Sequence, residues 1–190
     1  MKKKTLVIVG GANGVGKTTF AYQYRDDLGI KYLGADEIAA KIAKDGSGGN
    51  IALKAGKEFF NRLDVFLETG ESVIIESTLS GTGLAEKIKK FKTEGYSVHL
   101  VYVFLTDSTI CKKRITFRRK KGGHTVPDAD VERRFFRSIR NFWKLYQELA
   151  DTWQIFYNGF ERPVEVAICE HEEEMILDAS FFEKLKELAK

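Results

Sequence analysis

Apolar residues recur along this chain in two rhythms. Short unbroken runs rich in β-branched residues, Thr5–Val9, Ser72–Ile75 and Ser97–Leu105, read as strands covered on both faces. Longer segments between them place apolar residues every three or four positions. The clearest is 51–68, where Phe59, Leu63, Phe66 and Leu67 form one buried helical stripe. Glycines punctuate the pattern: a helix from about Gly16 to Asp27 closes at Gly29, Gly70 stops the 51–68 helix, and Gly95 ends a helix over 84–94. Ile30–Leu33 reads as a short strand leading into a helix that carries Ile38, Ala39, Ile42 and Ala43. Asp107 is placed to cap a helix running to Lys121. Gly122-Gly123-His124-Thr125-Val126-Pro127 breaks it, and Asp128 caps another helix carrying Phe135, Ile139, Phe142 and Tyr146. Gln154–Tyr157 predicts a fifth strand, Val164–Ile168 an extra edge strand, and 180–190 a closing helix. Strands alternating with helices predict a three-layer α/β fold, a mostly parallel five-stranded sheet with helices on both faces.

A length of 190 residues and 43% hydrophobic content suit one domain, 1–190. The net charge of +4 is unevenly spread. Lys112 to Arg140 holds 11 Lys/Arg against 3 Asp/Glu, whereas Glu161 to Lys190 holds 4 against 9. Two cysteines, Cys111 and Cys169, make no disulfide framework and no metal-ligand spacing, which predicts a reducing, cytoplasmic setting. The apolar run after Lys2-Lys3-Lys4 meets Gly10-Gly11 before reaching the ~7–15 residues of a signal-peptide core. No run approaches the ~20 apolar residues of a membrane span.

The chemistry starts at Gly11-Ala12-Asn13-Gly14-Val15-Gly16-Lys17-Thr18, a full G-x-x-x-x-G-K-T phosphate loop between a predicted strand and a predicted helix. Glycines at this spacing let successive N–H groups line a curl around a β-phosphate, and the helix start adds its positive end. Gly11 through Thr19 is therefore the expected nucleotide-binding stretch. Lys17 reaches the β- and γ-phosphates and Thr18 ligates Mg²⁺ beside ATP. A dinucleotide turn, with Asp36 on the ribose, would need G-x-G-x-x-G and has no use for Lys17 and Thr18. No Asn-Lys-x-Asp guanine signature occurs, and no Walker B aspartate ends the Ser72–Ile75 strand, which argues against a GTPase or a motor ATPase.

Other candidates sit where strands end. Asp36 follows the second strand and suits a general base for a hydroxyl acceptor, or a plain helix cap. Glu76, with Thr78 and Ser80, ends the third strand. Glu76 suits a substrate hydroxyl or the outer shell of magnesium, against the bland alternative of a solvent-facing residue. A basic lid over about 112–134 would bring Arg118, Arg119, Arg133 and Arg134 to the phosphates, with Gly122-Gly123 as hinge and His124 at the closed site. A nucleic-acid-associated NTPase is the rival reading of the same surface, but Phe135, Phe136, Phe142 and Trp143 follow a helical stripe, which favours core over a stacking pattern.

Gly11 to Ala21, Gly34-Ala35-Asp36-Glu37-Ile38, Glu76 to Gly81, Gly122 to Pro127 and Arg133-Arg134-Phe135 together resemble the zeta toxin family of phosphate-loop kinases, over about residues 5–158. The resemblance implies a nucleoside-kinase-type P-loop fold and Mg²⁺·ATP-dependent phosphorylation of a small-molecule hydroxyl, with UDP-N-acetylglucosamine as the family's acceptor and a small antitoxin as partner. It implies Asp36 as base, Glu76, Thr78, Ser80 and His124 at the substrate, and Arg118 and Arg134 as the phosphate-facing arginines. Lys57 stands where family members often carry arginine, so the grip on a substrate diphosphate is not matched. Another small metabolite, such as a nucleoside, stays open as acceptor.

Overall fold

A computed structural model of the chain describes residues 3–46, 49–120 and 127–190. Its centre is a sheet in the order β2-β3-β1-β4-β5-β6-β7. The strands are β1 (Thr5–Gly10), β2 (Lys31–Leu33), β3 (Val73–Ser77), β4 (Ser97–Phe104), β5 (Thr152–Tyr157), β6 (Val164–Glu170) and β7 (Glu173–Ile176). β1 to β5 are mutually parallel, and β6 and β7 add antiparallel ladders at one side. β1, β3 and β4 form the interior, where Leu6, Ile8, Ile74, Ile75 and Val103 are buried, as their unbroken apolar runs require.

The helices are α1 (Lys17–Leu28), α2 (Ala35–Lys44), α3 (Ile51–Thr69), α4 (Gly83–Thr93), α5 (Ser108–Lys120), α6 (Asp128–Asn141), α7 (Gln147–Leu149) and α8 (Ala179–Glu187). Opposite sheet faces are covered by different helices because successive strand residues alternate sides. Phe20 of α1 packs on Phe156 on one face, while Tyr102 and Trp153 meet Phe142 on the other. α8 closes the second face through Phe182 against Trp143.

Four local expectations change. The sheet has seven strands: β7 was hidden because its residues are exposed throughout and its glutamates interrupt any alternation. Asp128 lies in the first turn of α6, whose cap position is Pro127. The predicted helix through Tyr146 is interrupted by a π-helical turn, Phe142–Tyr146, before α7. The last helix starts at Ala179, capped by the Asp178 side chain, which accepts from Phe181 N–H at 3.0 Å. Among the described residues no helix is long and apolar enough to cross a membrane.

Candidate active site

Five parallel strands aim their carboxyl ends at one edge, so the segments that follow them converge there. A cavity of about 540 Å³ opens at that edge.

One wall is the phosphate loop. Gly11 and Gly16 sit at φ 139° and 104°, where side-chain-bearing residues are strained. Space makes a second demand, since a Cβ on Gly11 would lie 2.1 Å from Val103 O and one on Gly16 2.4 Å from Asn158 Nδ2. Asn13, Gly14, Gly16, Lys17, Thr18 and Thr19 line the cavity, while Ala12 and Val15 are turned into the core. Gly11 N–H donates to Ser77 O at 3.2 Å, tying the loop to β3. Lys17 Nζ donates to Ala12 O at 2.9 Å. Burial holds the Lys17 pKa below its ordinary value, against the upward pull of Glu76 and Asp36.

Asn158, just past β5, braces this loop from outside. Its Nδ2 donates to Val15 O at 2.7 Å, its own carbonyl accepts from Arg114 Nη2 at 2.8 Å, and its N–H donates to Phe104 O at 3.0 Å. The C=O and N–H of a trans peptide point in opposite directions. Fixing the Val15 carbonyl outward therefore turns the Gly16 N–H toward the cavity, where an anion would need it.

The facing wall comes from β2, β3, α2 and α3. Asp36, in the first turn of α2, lines it together with Glu76, Thr78, Phe59 and Phe60. Glu76 accepts from Thr18 Oγ1 at 3.1 Å through one oxygen and from the Tyr32 hydroxyl through the other. The Tyr32 pKa is raised, first by burial and then by its bond to Glu76, so that hydroxyl stays a donor. Thr18 and Glu76 together present hard oxygen atoms beside the loop, a donor set that fits Mg²⁺ completed by phosphate and water. Among the described residues no group of three or more His, Cys, Asp or Glu could hold a metal ion by itself.

Of the predicted arginines, Arg118 and Arg134 line the cavity, and Arg134 Nη1 donates to Asn13 Oδ1 at 3.5 Å. Arg119 is exposed, and Arg133 pairs with Asp130 at 2.7 Å outside the cavity. Ser80 does not line the cavity; its hydroxyl pairs with Thr78 Oγ1 at 2.9 Å behind it. His124 and the Gly122-Gly123 hinge lie outside the described residues. Lys57 is exposed and does not line the cavity, although its neighbour Gly56 does. Phe135 and Phe142 are buried in the core as expected, but Phe136, also expected there, is exposed one position beyond Phe135, which takes the inward side of α6, and Phe117 of α5 is exposed as well.

Sequence reasoning missed Tyr32, Phe60, Arg114 and Asn158. Arg114 belonged to the recognised basic run, but Tyr32 and Asn158 carried no signal beyond lying at the ends of predicted strands.

The family model described as an AAA domain matches residues 6–138. The chain belongs to this AAA domain family. An uncharacterized protein of Haemophilus influenzae is 30% identical over 126 residues, 66% of this chain and 88% of that protein. Among solved structures, the AvrRxo1-ORF1:ORF2 complex with ATP is similar at a TM-score of 0.76 and 18% identity over 96% of this chain. The chain spans 63% of that longer chain. A structure from the PezAT chromosomal toxin-antitoxin system of Streptococcus pneumoniae is similar at 0.68 and 16% identity, over 99% of this chain and 86% of that one. At these identities the structural likeness establishes a shared P-loop fold, which is the fold class predicted from the motifs.

Proposed function

We propose that this protein is a phosphotransferase that moves the γ-phosphate of ATP to a hydroxyl of a small molecule. The carrying observation is that one cavity is lined both by Lys17 and Thr18 of the phosphate loop and by the strand-end carboxylates Asp36 and Glu76. A hydrolase needs only the first set; a kinase needs an acceptor wall as well.

In this reading the loop amides and Lys17 hold the phosphates, and Arg118 and Arg134 face the charge that spreads over the transferring group. Thr18 and Glu76 would hold Mg²⁺, which supplies neutralisation of the phosphate oxygens when bound. Asp36 accepts the acceptor's hydroxyl proton as the oxygen bonds to the γ-phosphorus and the bond to the β–γ bridging oxygen breaks, releasing ADP. The ATP present in the AvrRxo1 structure supports the donor assignment. The zeta toxin resemblance nominates UDP-N-acetylglucosamine as acceptor and a small antitoxin as partner, and the AvrRxo1-ORF1:ORF2 complex and the PezAT toxin-antitoxin system supply the precedent for a protein partner.

The test is transfer of labelled γ-phosphate to a panel of UDP-sugars, nucleosides and amino sugars. Asp36→Asn should keep nucleotide affinity and lose about 10²-fold or more in transfer. Lys17→Ala should lose both. Full turnover by the Asp36 variant would remove it as the base.

A further inference from the structure

The cavity is electrically divided. Lys17, Arg114, Arg118 and Arg134 belong to the loop, α5 and α6, the donor wall. The acceptor wall, built by β2, β3, α2 and α3, carries the two carboxylates of Asp36 and Glu76, and among the described residues no Lys, Arg or His lines it. Sheet order enforces this separation, because β2 and β3 lie on one side of β1 while β4 and β5, which flank α5 and α6 in sequence, lie on the other.

The rest of the acceptor wall is apolar. Phe59 and Phe60 meet edge to face at 5.6 Å between ring centres. Gly56, one turn earlier on α3, also lines the cavity, and a Cβ there would meet nothing within 4 Å. A glycine inside a helix is unfavourable relative to alanine. Here it leaves a bare patch of helix beside two aromatic rings, room for the body of an acceptor.

We infer that the acceptor is a hydroxyl compound carrying no anionic group, and that the site favours one bearing a protonated amine, such as an amino sugar or aminocyclitol. A phosphorylated acceptor would set its charge against Asp36, and among the described residues no Lys, Arg or His of that wall answers it, whereas an ammonium is attracted by that carboxylate. Glu76, bonded to Thr18 and Tyr32 and read above as a holder of Mg²⁺, adds no free charge. The reading rests on the phosphotransfer function proposed above and departs from UDP-N-acetylglucosamine, whose diphosphate calls for cations, and among the described residues none lines this wall.

The experiment compares kcat/KM for acceptors matched in skeleton and different in charge: glucosamine, N-acetylglucosamine and glucosamine 6-phosphate, parallel amine, neutral and phosphorylated cyclitols, and UDP-N-acetylglucosamine. The amine or neutral member of each set should exceed its anionic counterpart by at least about tenfold. Gly56→Arg, which adds a cation to the acceptor wall in open space, should raise the anionic-to-amine ratio by about tenfold while leaving MgATP affinity unchanged. Anionic acceptors or UDP-N-acetylglucosamine turning over as well as the amines, or a ratio that Gly56→Arg does not move, would overturn the inference and leave phosphotransfer standing. Absence of transfer to every member would bring down phosphotransfer itself, and this inference with it.

Discussion

Asn158 is the residue whose role exceeds its sequence signal. One amide sets the direction of the Val15–Gly16 peptide, and its main chain joins α5 to β4 through Arg114 and Phe104. Asn158→Ala leaves those main-chain bonds in place and frees only the Val15 carbonyl. A hydrogen bond is worth about 1 kcal/mol net, so ADP and inorganic pyrophosphate should both bind roughly five- to tenfold more weakly by calorimetry. Loss of affinity for the base-free pyrophosphate separates loop setting from contact with the nucleoside. Unchanged affinity would mean that the loop holds its shape without the brace. Tyr32 works comparably on Glu76, occupying the carboxylate oxygen that Thr18 does not use.

At the scale of elements, the π-helical turn after α6 explains how the segment following β3 is held. Asn141 Nδ2 donates to Leu79 O at 2.7 Å, and the Tyr146 hydroxyl donates to Gly81 O at 2.6 Å. In a regular α-helix, residues five apart point about 140° away from each other. The wider i→i+5 turn over Phe142–Tyr146 brings both side chains to the same stretch of chain. That stretch needs holding, since Leu79 is buried with φ 53°, a left-handed conformation unfavourable for leucine. Asn141→Ala leaves the Leu79 carbonyl without its donor and should destabilise the fold by about 1–3 kcal/mol in urea denaturation. The companion change Tyr146→Phe should couple to it in a double-mutant cycle. Additive effects would show that the two bonds act separately and that the π turn is incidental to them. The sequence presents Asn141 through Tyr146 as ordinary helix, because a one-residue widening leaves no mark on apolar spacing.

For the whole molecule, the reactive edge and its opposite differ in character. Near the far ends of the strands, His99 contacts Thr152 Oγ1 through Nδ1 at 2.5 Å, beside a groove of about 400 Å³ that also exposes Glu170 and Lys3. Burial, helped by Lys3, holds the His99 pKa below its ordinary 6.5, while Asp151 and Glu170 pull it upward. The unfolded chain therefore takes up this proton more readily than the folded one. Stability should be full above pH about 6.5 and decline as pH falls toward the lowered folded value. Urea midpoints between pH 5 and 8 measure that slope, and His99→Gln should flatten it. An unaltered slope would assign acid sensitivity to other groups, with Asp151 the first to examine because Lys92 and Val98 N–H hold its pKa down.

The sequence by itself determined the phosphate loop, the five parallel strands and the strand-end positions of Asp36 and Glu76, because these follow from local backbone freedom and from the period of apolar residues. Tertiary structure alone decided which distant groups meet. Asn158 reaches Val15 across 143 positions, Arg134 reaches Asn13 across 121, and Tyr32 joins Glu76 across 44. It also decided which arginines of one basic run face the cavity and which face solvent. The division of the cavity into a cationic donor wall and an acidic acceptor wall belongs to the same class of fact. It follows from the order in which parallel strands pair, and that order is fixed by packing of the whole sheet, not by the residues of any one strand.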